Sequence, residues 1–416
     1  MGAPDTTSAD ASRPPRVVVG GQVPPPLSGM HVAVLRILTE LRGDPRVVTD
    51  HVVYRFAGSM GDQGRPSLAK LVEVVRIWGR LLAARRRGRI DVFLHPVGGT
   101  SRGSTIRDLL ILPVVHLVAR RVVLQFHGAG HGRVWPGDTS GLVRMARWAL
   151  GRSHGAVVHA EANRVDAEFV GTRQVAVVAH RLVDEHRPEL VDRDGADTCP
   201  RLLYLGHLGP HRGTPQLLRA AATVARRHGP LELELAGEPI RDYDEVQLAA
   251  DVAAAEAAAE GALTVHRPGG VRDDDKDRRF GRAHAFVFPT VFDAESFGLV
   301  LVEALMWGLP IVASDWRANA EVVGADTHAI VHPHAPDLEV ALTDALDDAV
   351  ARLRDGRWPA WSAPNRQRYL DAYQPVSGPC PVGDALLEVV TAPRSRRVSR
   401  TSRVSRTSRS SRSGRS

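Results

Sequence analysis

The fold is decided by residues 286–314, which read FVFPTVFDAESFGLVLVEALMWGLPIVAS. A short apolar run ends at Pro289, as expected of a buried strand followed by a breaker. Apolar residues then recur at helical spacing from Phe297 to Trp307, and Gly308 and Pro310 end that helix. A second apolar run closes the segment. The pattern therefore predicts a strand–helix–strand unit in which the two strands are parallel.

The start of this helix is predicted to face a ligand. In open α/β sheets, ligands bind at the carboxyl ends of the strands, where such a helix begins. Its first backbone N–H groups, near Phe297, Gly298 and Leu299, lack partners within the helix and attract anions such as phosphate by about 0.3–2 kcal/mol. Gly298 also lets a ligand approach the backbone closely.

Two glutamates accompany this helix start. Glu295 lies in the loop before the helix, and Glu303 lies within the otherwise apolar helix. A carboxylate in apolar surroundings needs a partner. On spacing alone, we interpret Glu303 as a residue on the one solvated stripe of a core helix.

The segment from residue 295 to residue 314 resembles the signature of the retaining family-4 glycosyltransferases, which have the GT-B fold. The resemblance rests on two glutamates separated by seven residues, with Phe-Gly directly after the loop. It implies an α/β chain of two Rossmann-like domains facing across a cleft. It also implies a nucleotide-sugar site in which Glu295 and Ser296 lie at the donor sugar, Glu303 contacts the ribose, and the N–H groups of residues 297–299 contact the diphosphate.

A second strand–loop–helix pattern starts at Leu202 and reads LLYLGHLGPHRG. The resembling family has two cations in this loop that bind the donor diphosphate, and this chain has His207 and Arg212 at those positions. A guanidinium binds phosphate in bidentate fashion, whereas neutral imidazole gives one donor and no charge. Two expectations stay open: a weaker grip on the diphosphate, or a His207 held protonated by it.

A histidine follows a predicted strand in the first half of the chain. The strand from Val122 to Phe126 is followed by His127-Gly-Ala-Gly-His131-Gly. A neutral imidazole can hydrogen-bond a sugar hydroxyl, although a lone histidine is more often structural. The resemblance implies that His127 lies near the donor sugar, with His131 as the weaker candidate. Many relatives have Asn-Gly after the last strand of this half, where this chain has His180-Arg181, and no role is predicted there.

Glycine-rich loops supply the remaining candidates. The loop between the first strand and the first helix matches neither a dinucleotide fingerprint nor a P-loop. The resemblance implies that it lies at the cleft, near the acceptor or a phosphate, through Gly20, Gly21, Ser28 and Gly29. Two later glycines end strands that should border the nucleotide base pocket, Gly237 and Gly270. Where many relatives have a glycine pair before Glu321, this chain has Arg317-Ala-Asn319, so the sugar and acceptor preferences stay open.

The order of these patterns predicts the domain organisation. We expect a flexible lead (1–15), an acceptor-side domain (16–191), a linker (192–200), a nucleotide-sugar domain (201–357), closing helices that cross back to the first domain (358–390), and a disordered Arg/Ser tail (391–416).

Composition limits the partners. The formal charge of +7 falls to −2 without the nine arginines of residues 394–415, so the basicity belongs to the tail. This tail lacks aromatic residues for base stacking, and we therefore expect no specific nucleic-acid partner. The basic helix predicted near residues 70–89 could rest on an anionic membrane, but we favour a solvated outer helix. Two distant cysteines and the lack of an apolar leader in residues 1–15 favour the cytoplasm, with peripheral contact at the inner membrane face left open.

The resemblance implies transfer of a sugar from a nucleotide diphosphate sugar to an unidentified acceptor hydroxyl, in a glycan, a lipid-linked sugar or a small molecule, with retention of configuration. Glu295, His127 and Arg212 are the expected catalytic residues. The nucleotide sugar is a substrate, so no cofactor is expected. No metal is required, because Arg212, His207 and backbone N–H groups can stabilise the leaving diphosphate. The alternatives are a catalytically weakened nucleotide-binding protein and another GT-B enzyme such as an epimerase or a phosphorylase.

Overall fold

The computed structural model describes residues 13–25, 29–56, 68–240, 243–324, 329–332, 338–375 and 378–392. These residues form two parallel sheets of six strands each, with helices packed on them. The predicted α/β class with two Rossmann-like domains is confirmed. The tail from residue 393 and the lead up to residue 12 lie outside the described residues.

The first sheet has the strand order β2-β1-β3-β4-β5-β6. Its strands are β1 (Arg16–Gly21), β2 (Val48–Val53), β3 (Ile90–Val97), β4 (Ala119–Phe126), β5 (Gly155–Val158) and β6 (Val175–Val177). Its helices are α1 (Gly29–Gly43), α2 (Leu68–Arg86), α3 (Arg102–Val118), α4 (Gly141–Leu150) and α5 (Arg164–Val170). Every residue of β3 is buried, as expected of a parallel strand covered on both faces.

The second sheet has the strand order β12-β11-β10-β7-β8-β9. Its strands are β7 (Arg201–Leu205), β8 (Leu231–Ala236), β9 (Leu263–His266), β10 (Ala285–Phe288), β11 (Ile311–Ser314) and β12 (Ala329–Val331). Its helices are α6 (Thr214–His228), α7 (Glu245–Ala258), α8 (Asp273–Arg282), α9 (Leu299–Met306), α10 (Asn319–Val323), α11 (Leu338–Arg354) and α12 (Trp358–Arg368). The strand order reverses between β7 and β10, which run parallel to each other, and such a switch point is where open α/β sheets bind ligands.

Helix α9 begins two residues later than the sequence pattern predicts. Its N-cap is Gly298, in the left-handed conformation at φ +65°, and Leu299 is the first helical residue. Phe297 is still part of the loop, because its ring packs edge-on against Tyr373 and His180. The free N–H groups of the helix start are therefore shifted toward Leu299.

The buried face of α2 differs from the predicted one. Apolar residues at helical spacing in this segment predict one packed face, formed by Leu71, Val74, Val75, Trp78, Leu81 and Leu82. The structure buries Val74 and Leu81 but leaves Leu71, Val75 and Leu82 about half exposed. Both sides of this helix are rich in aliphatic residues, so periodicity alone does not distinguish the packed side from the solvated one.

Residues in and before the predicted linker contact the second domain. Leu182 already belongs to the second core, and Arg193 donates from Nη2 to the carbonyl oxygen of Trp307 at 2.7 Å. Residues 192–200 therefore lie against the second domain. The last helix, α13 (Pro381–Thr391), returns to the first domain, where Leu386 packs with Val34. Among the described helices, none is long and apolar enough to span a membrane.

Candidate active site

The switch point of the second sheet brings Arg212 and Glu295 together. Arg212 lies in the loop after β7 and donates from Nη1 to Oε2 of Glu295, in the loop after β10, at 2.6 Å. Its guanidinium also lies over the ring of Phe292, 4.2 Å from the ring centroid. Both side chains of the ion pair are mostly buried, with 15% and 17% of their surfaces exposed. A cation is thus held in one orientation where a ligand would bind.

His207 lies beside this pair in a loop that is packed against its neighbours. Tyr204 donates from its hydroxyl to the carbonyl oxygen of His207 at 2.6 Å. Burial, and then the nearby charge of Arg212, lower the pKa of His207 below its usual value. The imidazole is therefore neutral in the ligand-free protein at pH 7. Glu238 and Glu295 favour the charged form without outweighing burial, and a bound anion would favour it further.

The two glycines predicted to border the base pocket lie next to this loop. A Cβ atom at Gly237 would fall 1.7 Å from the carbonyl oxygen of Gly206, so only glycine fits there. Gly270 donates its N–H to Oε1 of Glu238 at 2.9 Å. The loops after β7, β8 and β9 therefore form one continuous surface, which also carries His207.

Glu303 has a partner that sequence reasoning missed. Lys276 on α8 donates from Nζ to Oε1 of Glu303 at 3.2 Å and reaches Glu185 at 3.5 Å. Burial alone would lower the pKa of Lys276, but the two carboxylates raise it above its usual value. The alternating charges of residues 272–279 predict a solvated helix start in this segment, not a partner for Glu303. The signal that could have pointed to Lys276 is composition, because the chain has only two lysines, Lys70 and Lys276.

Direct contacts join the loop of Glu295 to the first domain. Ser296 donates from Oγ to the carbonyl oxygen of His127 at 2.6 Å, and Asn163 donates from Nδ2 to the carbonyl oxygen of Ser296 at 2.6 Å. His127 and Glu295 are 168 positions apart in the sequence and lie on adjoining loops. The carboxyl ends of the two sheets thus face each other here.

Asp166 organises the loop after His127, and no sequence signal singled it out. This fully buried aspartate of α5 accepts from the N–H of Gly132 at 2.6 Å and from the N–H of Gly130 at 3.2 Å. Glu321 of the second domain also accepts hydrogen bonds from backbone N–H groups, in this case across the domain interface. Its carboxylate accepts from the N–H groups of Glu161 and Ala162 at 2.7 and 2.9 Å.

Other candidates lie apart from these contacts. His131 is buried and packs edge-on against Phe126 and Trp135, as a core residue would. A Cβ at Gly20 would lie 2.5 Å from the hydroxyl of Tyr54, so close packing alone requires a glycine there. Gly21 has φ +141°, and a Cβ there would lie 3.0 Å from the side chain of Val34. Gly29 begins α1 with open space around it, and Ser28 lies outside the described residues.

Comparison with known proteins finds similarity that includes the second domain. The family described as "Glycosyl transferases group 1" matches residues 184–355. The chain is 24% identical over 267 residues to a phosphatidyl-myo-inositol mannosyltransferase of Propionibacterium freudenreichii. The aligned region covers 61% of each chain. It is 26% identical over 174 residues to the alpha-D-kanosaminyltransferase of Streptomyces kanamyceticus, and this aligned region covers 41% of this chain and 42% of that one. The matches thus span less than two thirds of either relative.

Solved structures share the fold. Sucrose-phosphate synthase from Thermosynechococcus elongatus superposes with a TM-score of 0.63 at 14% identity, covering 90% of this chain and 97% of the other. Anabaena HepE in complex with UDP and glucose superposes with a TM-score of 0.59 at 14% identity, covering 86% and 96%. These likenesses extend over both domains.

Proposed function

Because residues 184–355 carry a glycosyl transferases group 1 domain within a GT-B fold, we propose that the chain transfers a sugar from a nucleotide diphosphate sugar to an acceptor hydroxyl, with retention of configuration. The Arg212–Glu295 pair at the switch point carries this proposal. It supplies a cation for the diphosphate and a carboxylate for the sugar hydroxyls, and the adjoining loop contributes His127.

The chemistry requires stabilisation of the leaving diphosphate. The acceptor oxygen bonds to the anomeric carbon as the bond from that carbon to the phosphate oxygen breaks, and the acceptor proton passes to the departing phosphate. Arg212 and the free N–H groups at the start of α9 would bear the developing negative charge. Glu295 and His127 would orient the sugar, and Glu303 the ribose. These residues act without a metal ion at the diphosphate.

The first test is calorimetric titration of the full chain with UDP, GDP and ADP in turn. We expect saturable binding of one of them, and UDP has priority because Anabaena HepE was solved with UDP. Glu303→Ala should weaken that binding about tenfold through loss of a ribose hydrogen bond to a charged group. Glu256→Ala is the matched control, because Glu256 accepts from the N–H of Val265 elsewhere in this domain. No binding by folded protein would contradict the proposal.

Product analysis then distinguishes the enzyme classes. A transferase releases nucleoside diphosphate only in step with glycosylation of an added acceptor, beyond slow donor hydrolysis. An epimerase would convert the donor without an acceptor, and a phosphorylase would consume glycan and inorganic phosphate. Saturable nucleotide binding without turnover on any acceptor pool would instead favour a binding protein.

His207 should make diphosphate binding pH-dependent. Its pKa is lowered in the free protein, and a bound diphosphate would raise it, so binding takes up a proton between the two pKa values. Affinity should therefore rise as the pH falls through that range. His207→Arg should tighten binding about tenfold and remove this proton uptake. Titration in buffers of different ionisation enthalpy measures the uptake, and His207→Gln controls for titration of the nucleotide. Equal uptake by wild type and His207→Gln would contradict the assignment.

We also propose peripheral contact with an anionic membrane through α2. This helix packs on the first domain through one face and leaves a second aliphatic stripe exposed, formed by Leu68, Leu71, Val72, Val75 and Leu82. Exposed arginines follow at its end, Arg85–Arg87. An aliphatic stripe beside cations fits the boundary of an anionic bilayer. The likeness to a phosphatidyl-myo-inositol mannosyltransferase supports a lipid-linked acceptor.

Vesicle co-sedimentation tests this contact. The full chain should sediment with phosphatidylglycerol-containing vesicles more than with phosphatidylcholine vesicles. The double variant Leu71→Glu/Val75→Glu should lose most of that binding, because two apolar anchors become charged. Val246→Glu is the matched control, since Val246 is 78% exposed on α7 of the other domain. A chain truncated after Ala392 shows how much of the vesicle binding is due to the tail arginines and how much to α2. Equal binding by the double variant and the control would exclude α2 as the contact.

A further inference from the structure

Three histidines meet at the carboxyl edge of the first sheet. His127 directly follows β4, His159 directly follows β5, and His180 lies three residues after β6. These strands are neighbours in the sheet and run in the same direction. The residues that follow them therefore come side by side, although the sequence separates them by more than twenty positions.

The three rings form one compact cluster. One ring nitrogen of each histidine lies within 4.8 Å of the corresponding nitrogens of the other two. The rings of His159 and His180 are stacked with their centroids 3.6 Å apart, and the ring of His127 lies 5.6 Å from that of His159. His159 and His180 are 1% and 7% exposed. Such burial of several imidazoles at one point requires an explanation.

The hydrogen bonds around this cluster show which ring nitrogens carry lone pairs. Nδ1 of His159 donates to the carbonyl oxygen of Val178 at 2.9 Å, so its Nε2 carries the lone pair, which accepts from the amide of Gln125 at 3.2 Å. Both ring nitrogens of His127 are buried and have no hydrogen-bond partner among the described residues. Buried polar groups without a partner destabilise a folded protein, so these nitrogens are expected to have a ligand. Burial also lowers the pKa of all three histidines, so the rings are neutral.

We propose that His127, His159 and His180 bind one divalent transition-metal ion of the zinc, nickel or cobalt class. Neutral imidazole nitrogens are the preferred ligands of these ions, and three histidines leave one coordination position open. Zinc–nitrogen bonds of about 2.0–2.1 Å separate tetrahedral ligand nitrogens by about 3.4 Å. Shifts of about 1 Å would bring the nitrogens to that spacing, with the ion replacing the Gln125 amide at His159. The rings of His159 and His180, which are stacked with 23° between their planes, would also turn so that both lone pairs point at the ion.

This site uses side chains other than Arg212 and goes beyond the proposed transfer reaction. It shares His127 with the sugar-binding region. A bound ion would fix the orientation of the His127 ring next to the loop of Glu295, which Ser296 joins to the carbonyl oxygen of His127. The open coordination position would accept an oxygen ligand such as water or a hydroxyl.

The test is metal binding by untagged full-length protein. After treatment with a chelator, the protein is dialysed against ZnCl2, and bound zinc is measured by mass spectrometry. We expect one ion per chain. CoCl2 titration should in addition give the visible absorption of four-coordinate cobalt. His159→Gln and His180→Asn should each raise the dissociation constant at least about 100-fold, since loss of a ligand exceeds the 10–100-fold cost of losing a supporting residue.

The matched control is His228→Ala, which removes a histidine paired with Asp347 at 3.1 Å outside the cluster and should leave binding unchanged. Zinc content well below one ion per chain in the wild type would overturn the proposal. Unchanged affinity in both cluster variants, or a loss only in His228→Ala, would do the same. Circular dichroism checks folding of each variant, and the wild-type stoichiometry and cobalt spectrum decide the matter if a variant does not fold.

Discussion

Arg212→Ala should reduce kcat/KM about 10²–10³-fold, because it removes the side-chain cation held at the switch point for the leaving diphosphate. The same change should raise the dissociation constant of the nucleoside diphosphate about tenfold to a hundredfold, the effect of one charged hydrogen bond or more. It also leaves Glu295 without the partner that orients it at 2.6 Å. Initial rates of nucleoside diphosphate release and calorimetric titration measure the two effects.

Two variants make this prediction specific. Arg212→Lys keeps the charge but loses the planar fork, so it should recover part of the binding and less of the rate. Arg219→Ala is the matched control on α6, because Arg219 pairs with Glu339 at 2.6 Å and is 53% exposed. It should behave as wild type. Wild-type nucleotide binding by Arg212→Ala would refute the assignment of the diphosphate site.

Asp166→Ala should lower the free energy of unfolding by about 2–4 kcal/mol. Its carboxylate is fully buried and accepts from the N–H groups of Gly130 and Gly132, so its removal leaves those donors without their charged partner. Because these glycines form the loop after His127, activity should also fall in the folded protein. Urea unfolding measures the stability, and donor turnover below the transition measures the activity.

The loss in free energy of unfolding should depend on which hydrogen-bond acceptor remains at position 166. Asp166→Asn keeps one oxygen and should cost less than Asp166→Ala. Glu168→Ala, at an exposed position of the same helix, should stay within about 0.5 kcal/mol of wild type. If Asp166→Ala unfolds at the same urea concentration as Glu168→Ala, the carboxylate does not hold this loop.

Local pattern predicted much of the second domain. The run from residue 286 to residue 314 encodes β10, α9 and β11 because buried strands and a core helix require particular apolar spacings and breakers. The same run named Glu295 and Glu303 as neighbours of a helix start. It did not predict the exact first residue of α9, since packing of Phe297 against Tyr373 decides where the loop ends.

Partners distant in the chain could not be predicted in the same way. Glu303 was interpreted as solvated, yet Lys276 of α8 pairs with it, a contact that arises only when the chain is folded. On α2, both sides are aliphatic, and only the packing of the helix shows which stripe stays exposed. In each case the deciding contact depends on the arrangement of whole elements, which periodicity within one element does not report.

The sequence by itself determined the α/β class and the strand–helix–strand unit, because spacing and residue chemistry are local properties. Glu295, Glu303, Arg212 and His127 became candidates through the resemblance of their motifs to a known family. The tertiary structure decided which of them meet. Strand order sets Arg212 against Glu295, and the facing of the two sheets sets the loop of Ser296 against that of His127. The physical reason is that strand order and domain apposition depend on burying the surfaces of entire sheets, which no single stretch of the chain encodes.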